Sequence, residues 1–108
     1  MPNPERRRQA RVRLRNPLRA AVGKTCIYVV DVSSIGIGVA HEAPLPAICR
    51  VEVLSDIGPI KLDCAIVRTV KRSAADAAKE LFHSGLEVLS ADPQSQARLS
   101  QFIPRKDS

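Results

Sequence analysis

The sequence predicts an all-β domain with a C-terminal helix and an Arg-rich N-terminal arm, and three observations carry that prediction. Five or six short segments have the β-branched or alternating apolar pattern of strands, and turn residues separate them. Only Ser73 to Leu81, an Ala-rich stretch, is helix-permissive between strands, whereas a parallel α/β fold needs a crossover helix at each connection. Basic charge is confined to one block: residues 1–24 hold eight of the seventeen Lys and Arg but one of the eleven acids. An antiparallel barrel or sandwich accommodates all three. At 108 residues and 44% hydrophobic, the chain is predicted to form one domain with an ordinary core. With one Tyr, two Phe and no Trp, that core must come from Val, Ile, Leu and Ala.

Residues 1–15 contain two Pro and six Arg and bury too little apolar surface to offset their ordering entropy, so they are expected to form a flexible arm. Residues 16–108 are expected to form the folded body. Leu18 to Val22 is a short strand and Gly23-Lys24 a turn. Thr25 to Val32 (TCIYVVDV) is the clearest strand. Ser33 to Gly36 is a turn cluster, after which Ile37 to Ala40 is extended again. Pro44 and Pro46 mark a loop, since proline lacks the donor that a strand interior needs. Ile48 to Leu54 alternates, Asp56-Ile-Gly58-Pro59 has hairpin-turn chemistry, and Ile60 to Val70 alternates again. Ser73 to Leu81 is a loop or one or two helical turns. Phe82 to Leu89 is a last strand with a possible bulge at Gly85. Ser90 or Asp92 caps a terminal helix with Pro93 in its first turn. Leu99, Phe102 and Ile103 then lie on one helical stripe.

Several function classes are excluded by pattern. Cys26, Cys49 and Cys64 are odd in number and far apart, which points to buried reduced thiols of a cytoplasmic protein rather than a disulfide framework or zinc site. His41 and His83 have no Cys or His at ligand spacing, so no metal site is expected. No apolar run approaches the length of a membrane span, and the charged start has no apolar stretch of a secretory signal. No Ser/His/Asp arrangement, metalloprotease motif or P-loop is present, and Gly36-Ile-Gly38 lacks the third glycine of a dinucleotide fingerprint. The sequence reads as a non-enzyme without a cofactor.

Two features carry positive chemistry. Arg6, Arg7, Arg8, Arg11, Arg13, Arg15 and Arg19 precede the first Lys, Lys24. The planar fork of Arg pairs bidentately with phosphate oxygens or with the O6/N7 edge of guanine. Asp31 and Ser33 stand two apart at the end of the clearest strand and so project to one side of it. A carboxylate accepts from guanine N1–H and N2–H, a hydroxyl serves base or phosphate, and Gly36 permits φ > 0 or close backbone approach.

Taken in order, Arg7-x-x-x-Arg11 followed by Asp31-x-Ser33-x-x-Gly36 resembles the PilZ domain, a bacterial receptor module for cyclic di-GMP. The resemblance extends to Glu5-Arg-Arg-Arg, Val12, Ile37-Gly-Val39 and Ala65-Ile-Val-Arg68, and spans residues 5–103. It implies a six-stranded antiparallel β-barrel with an appended helix, in which Arg7 and Arg11 clamp guanine and phosphate, Asp31 and Ser33 receive a guanine, and Gly36 shapes the turn. Arg6 just ahead of the motif implies two ligand molecules per protomer, and Arg8 is placed to reach a phosphate. Cyclic di-GMP is then the ligand, an effector protein reads the rearranged surface, and the chain is cytoplasmic. Two other readings stay open. One is a nucleic-acid-binding module using the basic arm, which a net charge of −1 over residues 25–108 argues against. The other is a PilZ-like adaptor that binds only protein.

Overall fold

A computed structural model of the chain describes residues 11–72 and 81–103. The strands are β1 (Val12–Val22), β2 (Thr25–Val32), β3 (Gly36–His41), β4 (Ile48–Val53), β5 (Ile60–Arg72) and β6 (Leu81–Ala91), followed by helix α1 (Pro93–Ser100). They close into an antiparallel barrel in the order β1-β2-β3-β6-β5-β4, with β1 returning to β4 through Ala20↔Val53 and Ala21↔Glu52. The interior is aliphatic, as the composition demands: Ile27, Val29, Val32, Val39, Val51, Val53, Ile60 and Leu62 are all at most 1% exposed. Each such side chain taken from water contributes about 1.5–3 kcal/mol.

The turns follow their chemistry. Gly23 has φ +60° in the two-residue β1–β2 hairpin, a conformation that glycine adopts without steric penalty. In the β4–β5 turn the Gly58 N–H donates to Ser55 O (3.1 Å), and Ser55 Oγ donates to Gly58 O (2.6 Å). Asp92 caps α1 with its carboxylate, which accepts from the backbone N–H and the hydroxyl of Ser95 (2.7 and 3.0 Å). The Ser95 hydroxyl in turn accepts from Lys61 N–H (2.9 Å), tying the first helical turn to β5.

Four expectations are corrected. Extended structure begins at Val12 rather than Leu18, because Val12 and Leu14 pack on the core while Arg13 and Arg15 face outward. Gly85 stays in register with Gly38 and Arg68. The bulges fall instead at Val67 on β5 and Leu89 on β6, each left without a cross-strand partner and more than half exposed. Helix α1 ends at Ser100, and Phe102 and Ile103 reach the core from the following turn, where their N–H groups donate to Leu99 O and Ser100 O. Cys49 and Cys64 are buried free thiols, but Cys26 is exposed, since it alternates with inward Ile27 on β2. The expected loop or helical turns at Ser73 to Leu81 lie outside the described residues up to position 80. Among the described residues no helix is long and apolar enough to cross a membrane, and no cluster of His, Cys, Asp or Glu could hold a metal.

Candidate ligand-binding site

The register of five strands builds one lateral row on the outer surface of the barrel. Arg13 pairs with Asp31, Asp31 with Gly38, Gly38 with Gly85, and Gly85 with Arg68. Directly paired residues of an antiparallel sheet point to the same face. The row therefore offers a carboxylate beside one arginine, then two bare backbone positions, then a second arginine. It crosses an open depression of about 970 Å³ whose lining also includes Arg11, Ser33, Gly36, His83 and Glu87.

The position of Asp31 depends on Gly38. A Cβ on Gly38 would lie 2.5 Å from Asp31 Oδ2 and 2.6 Å from Oδ1, so the carboxylate rests in the space that the missing side chain leaves. Among the described residues Asp31 makes no ion pair or side-chain hydrogen bond, and both carboxylate oxygens are open to a ligand's donors. Asp31 also follows a bulge in β2, where Val30 is the extra residue between the Val29↔Val39 and Asp31↔Gly38 pairs.

Ser33 is 8% exposed and closes the β2–β3 turn. Its N–H donates to Gly36 O (2.9 Å), and its hydroxyl both donates to Gly36 O (3.3 Å) and accepts from Gly36 N–H (3.2 Å). The hydroxyl is thus committed first to the turn. Gly36 does not use positive φ. It is glycine because β6 passes over it: a Cβ there would strike the Leu86 carbonyl oxygen. Arg11, the last residue before β1, is exposed and lines the depression. Arg6, Arg7 and Arg8 lie outside the described residues.

Arg13, Gly38 and Gly85 were not singled out from the sequence as site residues, and Arg68 entered only as part of a strand resemblance. The available signal was period-two alternation: arginines at 11, 13 and 15 interleave with Val12 and Leu14, the pattern of a strand rather than an arm. In the sequence Gly38 stands in the Ile37-Gly-Val39 segment and in an incomplete dinucleotide fingerprint, and neither pattern exposes its pairing with Asp31.

Beside the depression, β3, β6 and β5 are tied by a polar chain centred on two buried residues, His41 and Ser84. His41 is 3% exposed and its Nδ1–H donates to Ala43 O (2.6 Å). In the neutral ring Nε2 then accepts from Ser84 Oγ (2.7 Å), leaving Ser84 to accept from Thr69 Oγ1 (2.9 Å). The ring stacks on Phe82 with centroids 5.5 Å apart.

No family model and no curated protein matches the sequence. Among solved structures the chain is similar to the PilZ domain of YcgR from Escherichia coli, a structure with c-di-GMP, at 20% identity and a TM-score of 0.67. The likeness covers 91% of this chain and 88% of that one. The chain has the fold of a PilZ domain: a closed six-stranded antiparallel barrel with a short C-terminal helix.

Proposed function

We propose that this chain is a PilZ-family receptor for cyclic di-GMP. The observation that carries the reading is the open carboxylate of Asp31, seated over Gly38 and placed in one depression with Arg11, Arg13 and the Ser33–Gly36 turn. The neighbouring structure of the same fold contains c-di-GMP, which supports the choice of ligand. Chemically, the guanine N1–H and N2–H donate to the two Asp31 oxygens, and the arginine forks take phosphate and the guanine O6/N7 edge. The Ser33–Gly36 turn keeps β2 and β3 in the register that holds Asp31. Arg7 and Arg11 clamp the ligand from the N-terminal side, Arg6 favours a second ligand molecule, and Arg8 reaches a phosphate. The anionic ligand offsets the mutual repulsion of these arginines and draws the segment across the barrel, creating the surface that an effector protein reads.

One calorimetric titration tests this, with cyclic di-GMP, GTP and a short DNA each run at two salt concentrations. Selective binding of cyclic di-GMP, weakened about 10- to 100-fold by Arg7→Ala, Arg11→Ala or Asp31→Ala, is the expected result, since each charge-assisted contact contributes about 1.5–3 kcal/mol. Binding of DNA with a steep salt dependence and no preference for the cyclic dinucleotide would instead identify a nucleic-acid module. Absence of binding to all three would leave the protein-only adaptor.

A further inference from the structure

The register of β1 against β2 breaks where it meets the site. From Val22↔Thr25 to Leu18↔Val29 the pairing is regular, and continuing it would set Asn16 opposite Asp31. Instead four residues of β1, Leu14 to Pro17, lie against Val30 alone, and pairing resumes with Arg13↔Asp31 and Val12↔Val32. The bulge thus exchanges a neutral neighbour of Asp31 for a cation. Arg13 is exposed, lines the depression, and forms no hydrogen bond or ion pair among the described residues.

Charge and distance say what this exchange does. Among the described residues the lining carries three arginines (Arg11, Arg13, Arg68) against two carboxylates (Asp31, Glu87). Removing Arg13 abolishes the positive excess. Arg68 cannot substitute near Asp31: it stands three strands away, about 14 Å at an inter-strand spacing of about 4.8 Å. That is beyond the screening length of about 8 Å in physiological salt. Arg11 also lines the depression, but it lies before β1, beyond the Val12↔Val32 pair. A phosphate attached to a nucleoside whose base sits on Asp31 therefore needs the cation paired directly with that carboxylate.

We propose that Arg13 is that cation: it holds the ligand phosphate beside the base taken by Asp31 and makes the site bind an anionic nucleotide although it is built around a carboxylate. This rests on the cyclic di-GMP reading and adds a contact outside the Arg7-x-x-x-Arg11 pair.

The test is calorimetry of the full chain with cyclic di-GMP at two salt concentrations, using wild type, Arg13→Gln, Arg13→Lys and Arg15→Gln. Arg15 is an exposed arginine of the same strand that does not line the depression, so it controls for net charge. The expected result is a Kd raised about 10- to 100-fold by Arg13→Gln, with a shallower salt dependence, partial retention by Arg13→Lys and a Kd within twofold of wild type for Arg15→Gln. Unchanged melting temperatures check the fold. Wild-type binding with an unaltered Kd in Arg13→Gln, or an equal loss in Arg15→Gln, overturns the Arg13 assignment and leaves the receptor reading standing. Failure of wild type to bind overturns the receptor reading and the Arg13 assignment together.

Discussion

Asp31 and Gly38 are direct partners across β2 and β3, and the Asp31 carboxylate occupies the volume that a side chain at position 38 would fill. The atoms in conflict with an added methyl group belong to the free end of a flexible side chain, not to the backbone. Gly38→Ala therefore relieves its clash by turning the carboxylate away while the sheet stays paired. The variant is expected to keep its melting temperature within a few degrees and to lose about tenfold or more in cyclic di-GMP affinity. In an Asp31→Ala background the same change costs no further affinity, because the group it displaces is already gone. Paired calorimetric titrations of the two backgrounds check this.

The other two glycines of the depression give opposite outcomes. At Gly36 the obstacle is the Leu86 carbonyl on β6, so alanine there must separate β3 from β6. Gly36→Ala is expected to lower stability markedly in urea unfolding, and any loss of binding follows from unfolding. At Gly85 nothing lies within 4 Å of an added Cβ and φ is not positive, so a larger residue meets open space. That space is the depression itself. Gly85→Val is expected to be as stable as wild type or slightly more so, given the strand preference of valine, and to block ligand entry. A Gly85→Val protein that binds normally would place the ligand elsewhere.

These residues also show what the sequence made legible. The barrel was readable because alternation and turn chemistry are local: Gly23, Gly58 and the Asp92 cap each behave as their neighbours in sequence dictate. Asp31 was readable as chemistry for the same reason, and Gly36 as part of a turn, but what requires a glycine at 36 is the Leu86 carbonyl on β6, a cross-strand contact. Arg13, Gly38 and Gly85 were not readable, because their roles exist only across strands. Gly38 matters through Asp31, seven residues earlier, and Gly85 through Gly38 and Arg68 on two different strands. The bulges at Val30, Val67 and Leu89 occur at residues with no turn signature, and only the one between Arg13 and Leu18 carries a local mark, Asn16-Pro17. At Gly85 a glycine suggested a bulge that the bare surface of the site explains better.

His41 shows the same limit and supplies a stability prediction. A lone histidine in the sequence becomes the buried link between the Ala43 carbonyl, Ser84 and Thr69. His41→Ala leaves two polar groups without their partner and removes the stack on Phe82. Chemical denaturation is expected to show a loss of about 2–5 kcal/mol. His41→Phe fills the site with a somewhat larger ring and keeps the stack but still strips Ser84 and the Ala43 carbonyl of their partner, so it should fall between wild type and alanine.

The pH dependence of stability should carry the signature of two carboxyls. The backbone N–H of Ser95, followed by its hydroxyl, holds the Asp92 carboxyl below its usual range. The Arg50 guanidinium, with help from Ser90, does the same for Asp63. In the unfolded chain both return to the ordinary carboxylate value. Because the folded values are lowered, the stabilisation is present above the ordinary carboxylate value, about 4, and is lost as pH falls from there through the lowered one. The Arg50–Asp63 pair is solvent-exposed and its share is screened by salt, whereas the Asp92 cap is a direct hydrogen bond to a helix N-terminus. Melting temperatures measured down this range are therefore expected to drop less steeply in Asp92→Asn than in wild type. Asp63→Asn should flatten the curve only at low salt. The Ser95 amide reports the cap directly: its protection factor, the intrinsic exchange rate at each pH over the observed one, should fall on acidification in wild type and be low throughout in Asp92→Ala. An acid profile that is the same in wild type and Asp92→Asn at high salt would mean that the helix cap does not contribute to the acid limb.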